Sequence, residues 1–130
     1  KLGRLFLNGG VWEGRQIISE EWVKESTTLQ FKRPASSADY GYQWWVRTFG
    51  AENYDAFFAQ GHFGQYIFCV PELDLIVVFT SHHTGSSGMY WEFMERIVAA
   101  CESYEEKVFG SFIDLCRSAV VSGRLRLRSR

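Results

Sequence analysis

One short segment of the sequence, Gly61-His62-Phe63-Gly64-Gln65, combines residue types that could support catalysis. It lies within a bulky apolar stretch, where glycine often marks the close approach of a ligand or another backbone. Two glycines would let a substrate lie against the chain while nearby backbone N–H groups donate hydrogen bonds to it. The histidine adds a side chain that exchanges protons near neutral pH. The pattern predicts a binding or catalytic site, with a strand bulge around a buried histidine as the structural alternative.

The common nucleophile, metal and cofactor motifs are absent from the sequence. No serine is followed by lysine three residues later, and Gly85-Ser86-Ser87-Gly88 misses the Gly-x-Ser-x-Gly spacing by one residue. Cys-x-x-Cys, His-Glu-x-x-His and glycine-rich phosphate loops are also missing. His82 and His83 would point to opposite faces of a strand, which predicts exposed strand-end histidines rather than a metal site. We therefore expect no metal and no cofactor.

The composition predicts one folded domain. The chain has 130 residues, 46% hydrophobic and 17% aromatic, so it can bury a core and differs from disordered proteins. The longest strongly apolar run, Leu75–Phe79, is far shorter than the ~20 residues of a membrane span. The cysteines are too few for a disulfide scaffold and are expected to be buried as small hydrophobic residues: Cys69, Cys101 and Cys116.

The charge is nearly balanced, with 14 Lys and Arg against 15 Asp and Glu. This balance excludes a strong general attraction to nucleic acid or to anionic lipid. Four arginines alternate at the end of the chain: Arg124, Arg126, Arg128 and Arg130. They support a nucleic-acid-binding tail only weakly, because the rest of the chain lacks a basic face. We expect no nucleic-acid partner.

Local signals predict two helices and one hairpin in the first part of the chain. Apolar residues recur with helical spacing over residues 1–7, and Asn8-Gly9-Gly10 would end that helix. Residues 11–18 have the pattern of a short hairpin that turns at Glu13-Gly14. Ser19 is a favourable N-cap for a second helix.

The central part of the chain predicts an antiparallel sheet. Residues 40–46 are strand-like, residues 56–70 are the longest strand candidate, and residues 73–81 form another. Pro71-Glu72 separates the last two strands, and so short a connection implies an antiparallel hairpin. Both strands are apolar on each face, as expected for a sheet covered on both sides.

The last part of the chain predicts helices. Apolar residues recur with helical spacing from about residue 86 to Cys101, and a weaker helical pattern follows over residues 109–116. Together with the strands, these helices predict an α+β fold in which helices pack on an antiparallel sheet.

The run from Phe57 to Thr80 resembles the C-terminal part of the serine beta-lactamase-like superfamily. That superfamily includes class C beta-lactamases, penicillin-binding-protein-like DD-peptidases and related esterases. Three shorter blocks are similar to segments that precede this run in the family: residues 3–10, 17–23 and 40–45. The resemblance covers residues 1–105 and implies the C-terminal portion of a beta-lactamase-like domain. Residues 106–130 are predicted to be a helical extension with a basic tail.

In that family three motifs converge: Ser-x-x-Lys with the nucleophile, Tyr-x-Asn or a serine variant, and Lys-Thr-Gly or His-x-Gly on a strand. His62-Phe63-Gly64 matches the third motif. The resemblance implies that His62 faces the nucleophile and orients the substrate, and that the Gln65 backbone N–H is an oxyanion-hole donor. Gly61, Phe63 and Gly64 would contact the substrate. Typical beta-lactamases have threonine in place of Phe63, which favours an esterase- or peptidase-like member over beta-lactam turnover.

The other two motifs are absent, and we expect them N-terminal to Lys1 in a complete member. The resemblance therefore implies a C-terminal fragment of a serine hydrolase that is inactive alone, because covalent catalysis needs the missing serine and its base. The substrate would be a small ester, amide or peptide. The family is mostly periplasmic or extracellular, although this sequence assigns no compartment. The alternative is a non-catalytic binding or interaction module with an exposed aromatic surface: Tyr40, Trp44 and Trp45.

Overall fold

The computed structural model describes residues 1–34, 38–85 and 87–121, with side chains described as far as Tyr104. The predicted arginine-rich tail from Arg124 to Arg130 lies outside the described residues. The side chains of the second helical pattern, over residues 109–116, also lie outside the described part of the chain.

The N-terminal part forms two helices joined by a small hairpin: α1 (Leu2–Leu7), β1 (Val11–Trp12), β2 (Arg15–Gln16) and α2 (Glu20–Thr27). Helix α1 ends before Gly9 and Gly10, which adopt φ values of 59° and 85° that glycine tolerates best. The Ser19 hydroxyl accepts a hydrogen bond from the Trp22 N–H at 3.2 Å and caps α2. The predicted helices, hairpin and N-cap are therefore confirmed.

An antiparallel sheet forms the centre of the fold: β3 (Asp39–Tyr40), β4 (Trp45–Phe49), β5 (Tyr54–Gly61), β6 (Gln65–Val70) and β7 (Leu75–Phe79). Spatial order equals chain order, and each strand pairs antiparallel with the next. A 3₁₀ turn, Pro71–Leu73, joins β6 to β7, so the hairpin predicted at this proline is confirmed. The α+β fold class is confirmed as well, since helices pack on this sheet.

The single long strand predicted over residues 56–70 is wrong, because the chain reverses within it. Strand β5 ends at Gly61, β6 begins at Gln65, and these two residues pair with each other. Phe63 and Gly64 occupy the left-handed region with φ of 60° and 81°, which turns the backbone back on itself. The segment singled out for chemistry is thus a hairpin turn rather than the middle of a strand.

The strand predicted over residues 40–46 is also interrupted. The Tyr42 N–H donates to the Ser26 carbonyl at 2.9 Å, and Gln43 adopts a left-handed φ of 64°. A side chain on Gly41 would overlap the Ser26 carbonyl, so glycine allows the chain to approach α2 closely. These contacts divide the aromatic segment into β3 and β4.

Both faces of the sheet are covered, as predicted. On one face, α3 (Gly88–Val121) packs on fully buried side chains that include Phe58 and Phe68. On the other face, α1 and α2 enclose a second cluster: Phe6, Val23, Trp44, Phe57 and Cys69. Burial raises the pKa of the Cys69 thiol to about 12, so this cysteine is an inert core residue, as expected from its apolar setting.

Helix α3 runs past the domain boundary predicted at residue 105, which falls inside it. Within the described residues, no helix has the length and apolar character needed to cross a membrane. The outermost strand, β7, carries the apolar side chain of Val78 at 58% exposure. At this edge of the sheet, therefore, one apolar side chain is open to solvent.

Candidate active site

The β5–β6 turn, the segment after β7 and the beginning of α3 enclose a cleft of about 360 Å³. Residues from all three parts line it: Gln60, Gly61, His62, Phe63, Gly64, Tyr66, His83, Thr84, Gly85, Ser87 and Tyr90. The cleft therefore brings together four of the five predicted site residues. None of these lining residues is Asp, Glu, Lys or Arg, so the described wall carries no permanent charge.

Hydrogen bonds tie the turn to the segment that follows β7. The Phe63 carbonyl accepts from the His83 N–H at 3.0 Å and from the Ser81 hydroxyl at 2.9 Å. The Gly64 carbonyl also lies within hydrogen-bond distance of that hydroxyl, at 3.0 Å. In the other direction, the Gln65 side-chain amide donates to the Ser81 carbonyl. The turn is thus held by contacts from another element as well as by its own backbone.

Gly64 is required at its position by space as well as by conformation. A Cβ there would overlap the Tyr90 hydroxyl and lie 2.5 Å from Ser81 Oγ. Its φ of 81° is also one that side-chain-bearing residues rarely adopt. Glycine lets the backbone of the turn approach the Ser81 and Tyr90 hydroxyls, which are 2.6 Å from each other.

At the tip of the turn, the Phe63 ring contacts two histidine rings in a tilted arrangement. The His62 and Phe63 ring centroids are 4.1 Å apart, and Phe63 lies 4.5 Å from His82. His62 and His82 are exposed, and Phe63 is 40% exposed. The alternative of a bulge around a buried histidine is therefore wrong, because His62 is open to solvent beside the cleft. The exposed position predicted for His82 is confirmed, whereas His83 is half-buried and lines the cleft.

Two buried tyrosines support the cleft from below. Tyr66 and Tyr90 are each 3% exposed, and their rings lie 4.6 Å apart. Burial raises the pKa of Tyr66, a hydrogen bond with Ser87 opposes that shift, and Tyr90 adds to it. Tyr66 therefore stays protonated near neutral pH and can act as a hydrogen-bond donor rather than as a base.

Gln65 lies at the first pair of the β5–β6 ladder, opposite Gly61, and its side chain is exposed. The role of its backbone N–H as an oxyanion donor stays a prediction. Among the described residues, no three His, Cys, Asp or Glu side chains lie close enough together to hold a metal ion.

A larger hollow of about 650 Å³ lies elsewhere, between the end of α2 and the sheet. Its lining includes Thr28, Arg47 and Asp55 and none of the predicted site residues. The smaller cleft is the better candidate because it combines an exposed histidine, several hydroxyls and a left-handed turn.

No protein-family model matches the sequence, and no curated protein matches it. Among solved structures, the chain is similar to one titled "Putative 6-aminohexanoate-dimer hydrolase from Bacillus anthracis". The two superpose with a TM-score of 0.64 over 81% of this chain, at 24% sequence identity. The chain has a partial beta-lactamase-like fold. It spans 28% of the length of that solved structure.

In this beta-lactamase-like fold, sequence reasoning missed three residues that line the cleft or hold its turn: Ser81, His83 and Tyr90. For Ser81, the pairing of β6 with β7 offered a signal. Tyr66 pairs with Phe79, so the chain that follows β7 must pass the β5–β6 turn. Knowing that the chain turns at residues 62–64 would have placed Ser81 beside it.

Proposed function

We propose that the chain is the C-terminal part of a serine hydrolase that works through an acyl-enzyme, and that the cleft beside His62 belongs to its active site. The observation that carries the proposal is an exposed histidine on a left-handed turn, held against a cleft by contacts from a second element. Non-glycine residues in this backbone region cluster at functional sites. The beta-lactamase-like fold is compatible with such a site.

The proposed reaction has two steps. A serine oxygen attacks the substrate carbonyl carbon, its proton passes to a neighbouring base, and the alcohol or amine leaves with a proton. Water then attacks the resulting ester and releases the acid and the free serine. The serine and its base would come from a Ser-x-x-Lys motif outside this chain. The chain alone is therefore proposed to be inactive.

Within that reaction, the chain would contribute binding and charge stabilisation. The Gln65 N–H would donate to the carbonyl oxygen as it becomes negative, a contribution worth ~3–4 kcal/mol for a well-placed donor. His62 would orient the substrate from the rim of the cleft, and Gly61, Phe63 and Gly64 would line the path of its acyl group.

The lining of the cleft favours an uncharged ester, amide or peptide as the substrate. Phe63 presents an apolar ring, and the described lining residues include no permanently charged side chain. The similar solved structure is titled a hydrolase, and hydrolysis is the activity proposed here. The absence of a hydroxyl at Phe63 argues against tight binding of a substrate carboxylate at this position.

Labelling with a fluorescent fluorophosphonate and with a fluorescent penicillin tests the proposal. The 130-residue chain should react with neither probe, whereas a chain extended N-terminally to include the serine motif should be labelled by the fluorophosphonate. In the extended chain, His62→Ala should reduce the labelling rate about tenfold. His82→Ala is the matched control, because His82 is also exposed and its ring also contacts that of Phe63. It should change the rate less than twofold.

Labelling of the isolated chain would contradict the proposal that it lacks the nucleophile. Equal effects of the two histidine variants would contradict the role given to His62. If the extended chain binds peptidoglycan-like peptides in calorimetry without any turnover, a binding module is the better description. Of the aromatic surface predicted for that alternative, Trp44 is buried, whereas Tyr40 and Trp45 are half-buried and pack edge-to-face on each other.

A further inference from the structure

The Ser81 and Tyr90 hydroxyls form a pair beneath the turn that bears His62. Their oxygens are 2.6 Å apart, and Tyr90 is 3% exposed. Ser81 lies just after β7, whereas Tyr90 lies in the first turn of α3. The pair therefore connects two elements that are separate in sequence to a third, the β5–β6 turn.

Ser81 Oγ is also close to two successive carbonyl oxygens of the turn, those of Phe63 and Gly64, at 2.9 and 3.0 Å. A hydroxyl has one proton to donate and accepts through its lone pairs. When the Tyr90 hydroxyl donates to Ser81 Oγ, the Ser81 proton is free for these two carbonyls. Tyr90 thus completes the hydrogen bonding of Ser81 and fixes which way its proton points.

The orientation of these two carbonyls determines the orientation of the next two amides. In a trans peptide, the C=O and the N–H point in opposite directions. Because the Phe63 and Gly64 carbonyls point toward Ser81, the N–H groups of Gly64 and Gln65 point away from it. The Gln65 N–H is the proposed oxyanion donor, so its direction depends on this hydrogen-bonding pair.

We infer that Ser81 and Tyr90 are positioning residues of the site: they hold the left-handed turn at Phe63–Gly64 and thereby aim the Gln65 N–H and place His62. This inference rests on the proposed function for its catalytic meaning. The structural part of it, that the two hydroxyls hold the turn, can be tested without any activity.

The first test measures amide hydrogen exchange at His83, whose N–H donates to the Phe63 carbonyl of the turn, in the full 130-residue chain by NMR. Tyr90→Phe keeps the ring and removes the hydroxyl, and Ser81→Ala removes its partner. Both should speed exchange at His83 about tenfold relative to wild type, because local opening becomes easier. Ser81→Thr retains a hydroxyl and should restore slow exchange. Tyr104→Phe is the control, since Tyr104 lies in the same helix and is 69% exposed.

The second test measures the rate of fluorophosphonate labelling in the N-terminally extended chain. Tyr90→Phe should lower the maximal labelling rate about tenfold while the reagent concentration for half-maximal rate stays within twofold. A residue that served stability alone would leave the maximal rate of the folded protein unchanged. Tyr104→Phe should behave as wild type in both respects.

Unchanged exchange at His83 in Tyr90→Phe and Ser81→Ala would overturn the inference. Faster exchange with an unchanged labelling rate would overturn the positioning role and leave the two hydroxyls as structural supports. If the extended wild-type chain is not labelled at all, the proposed function fails. In that case the exchange measurement still decides whether the two hydroxyls hold the turn.

Discussion

Two turns flank strand β6, and they are stabilised in different ways. The turn at Phe63–Gly64 precedes the strand, and the Pro71–Leu73 turn with Asp74 follows it. Each contains a non-glycine residue in the left-handed region, with φ of 60° at Phe63 and 44° at Asp74. Aspartate tolerates this conformation well, whereas for a bulky residue it costs roughly 1–2 kcal/mol.

The neighbours of the two turns account for the difference. The second turn has proline at its first position and a backbone hydrogen bond from the Asp74 N–H to the Pro71 carbonyl at 3.0 Å. Its conformation thus follows largely from its own residues. The Phe63–Gly64 turn is held by Ser81 and His83, which come from a different element. A less favourable local conformation is retained there because tertiary contacts stabilise it, which is typical of a functional site.

The largest effect on stability is expected from Gly64→Ala. This variant tests whether tertiary contacts, rather than local sequence, determine the conformation of the Phe63–Gly64 turn. The new methyl group would overlap the Tyr90 hydroxyl and crowd Ser81 Oγ, in addition to the strain of a positive φ. We expect the free energy of unfolding to fall by about 3 kcal/mol or more. Urea denaturation followed by tryptophan fluorescence measures this change.

Gly14→Ala is the matched control for that variant. Gly14 also has a positive φ, 77°, but a Cβ there would meet nothing within 4 Å. The loss should be about 1 kcal/mol, the conformational part alone. Equal losses for the two variants would show that Tyr90 and Ser81 do not restrict the space at Gly64, and the contrast between the turns would fail.

A smaller effect is expected from alkaline pH, which tests the buried support beneath the first turn. Burial raises the pKa of Tyr66 above 10.0, so the unfolded chain loses this proton before the folded chain does. Stability should therefore fall as pH rises above about 10, by at most about 1.4 kcal/mol per pH unit for one group. Tyr66→Phe should make this slope shallower, and Tyr104→Phe should leave it unchanged.

The slope should not vanish in Tyr66→Phe, because burial also raises the pKa of Cys69, to about 12. Because of that thiol, the free energy of unfolding also falls as pH rises above 9. An identical alkaline slope in wild type and Tyr66→Phe would mean that the phenol is solvated in the folded chain, contrary to its 3% exposure.

The difference between the two turns also explains what could be predicted from the sequence. The hairpin at Pro71 was predictable because proline sets its own backbone angle and interrupts two apolar strands. The Ser19 cap and the glycine turns of the N-terminal part were also predictable, because their own residues favour the observed conformation. The turn at Phe63 was not predictable from the sequence, because phenylalanine favours strands. Its left-handed conformation depends on residues about 20 positions away.

The candidate site, like the fold, was predictable only in part from the sequence. The two glycines around His62 identified the segment, and the structure brings four of the five residues into one cleft. Ser81 and Tyr90 were not predictable as site residues. A serine at the end of a strand and a tyrosine on the apolar face of a helix have ordinary structural uses, and their pairing depends on the tertiary fold.

The smallest effect is expected at the second turn, where Arg4 and Asp74 form an ion pair between exposed side chains. If the turn depends on its local sequence, this pair should matter little, because water screens exposed charges and fixing two flexible side chains is unfavourable. Arg4→Gln should change the free energy of unfolding by less than about 0.5 kcal/mol, with little dependence on salt. A loss above about 1 kcal/mol in urea denaturation would show that the second turn also relies on a distant partner. The two turns would then differ only in degree, and a left-handed residue held by tertiary contacts would no longer distinguish the proposed site.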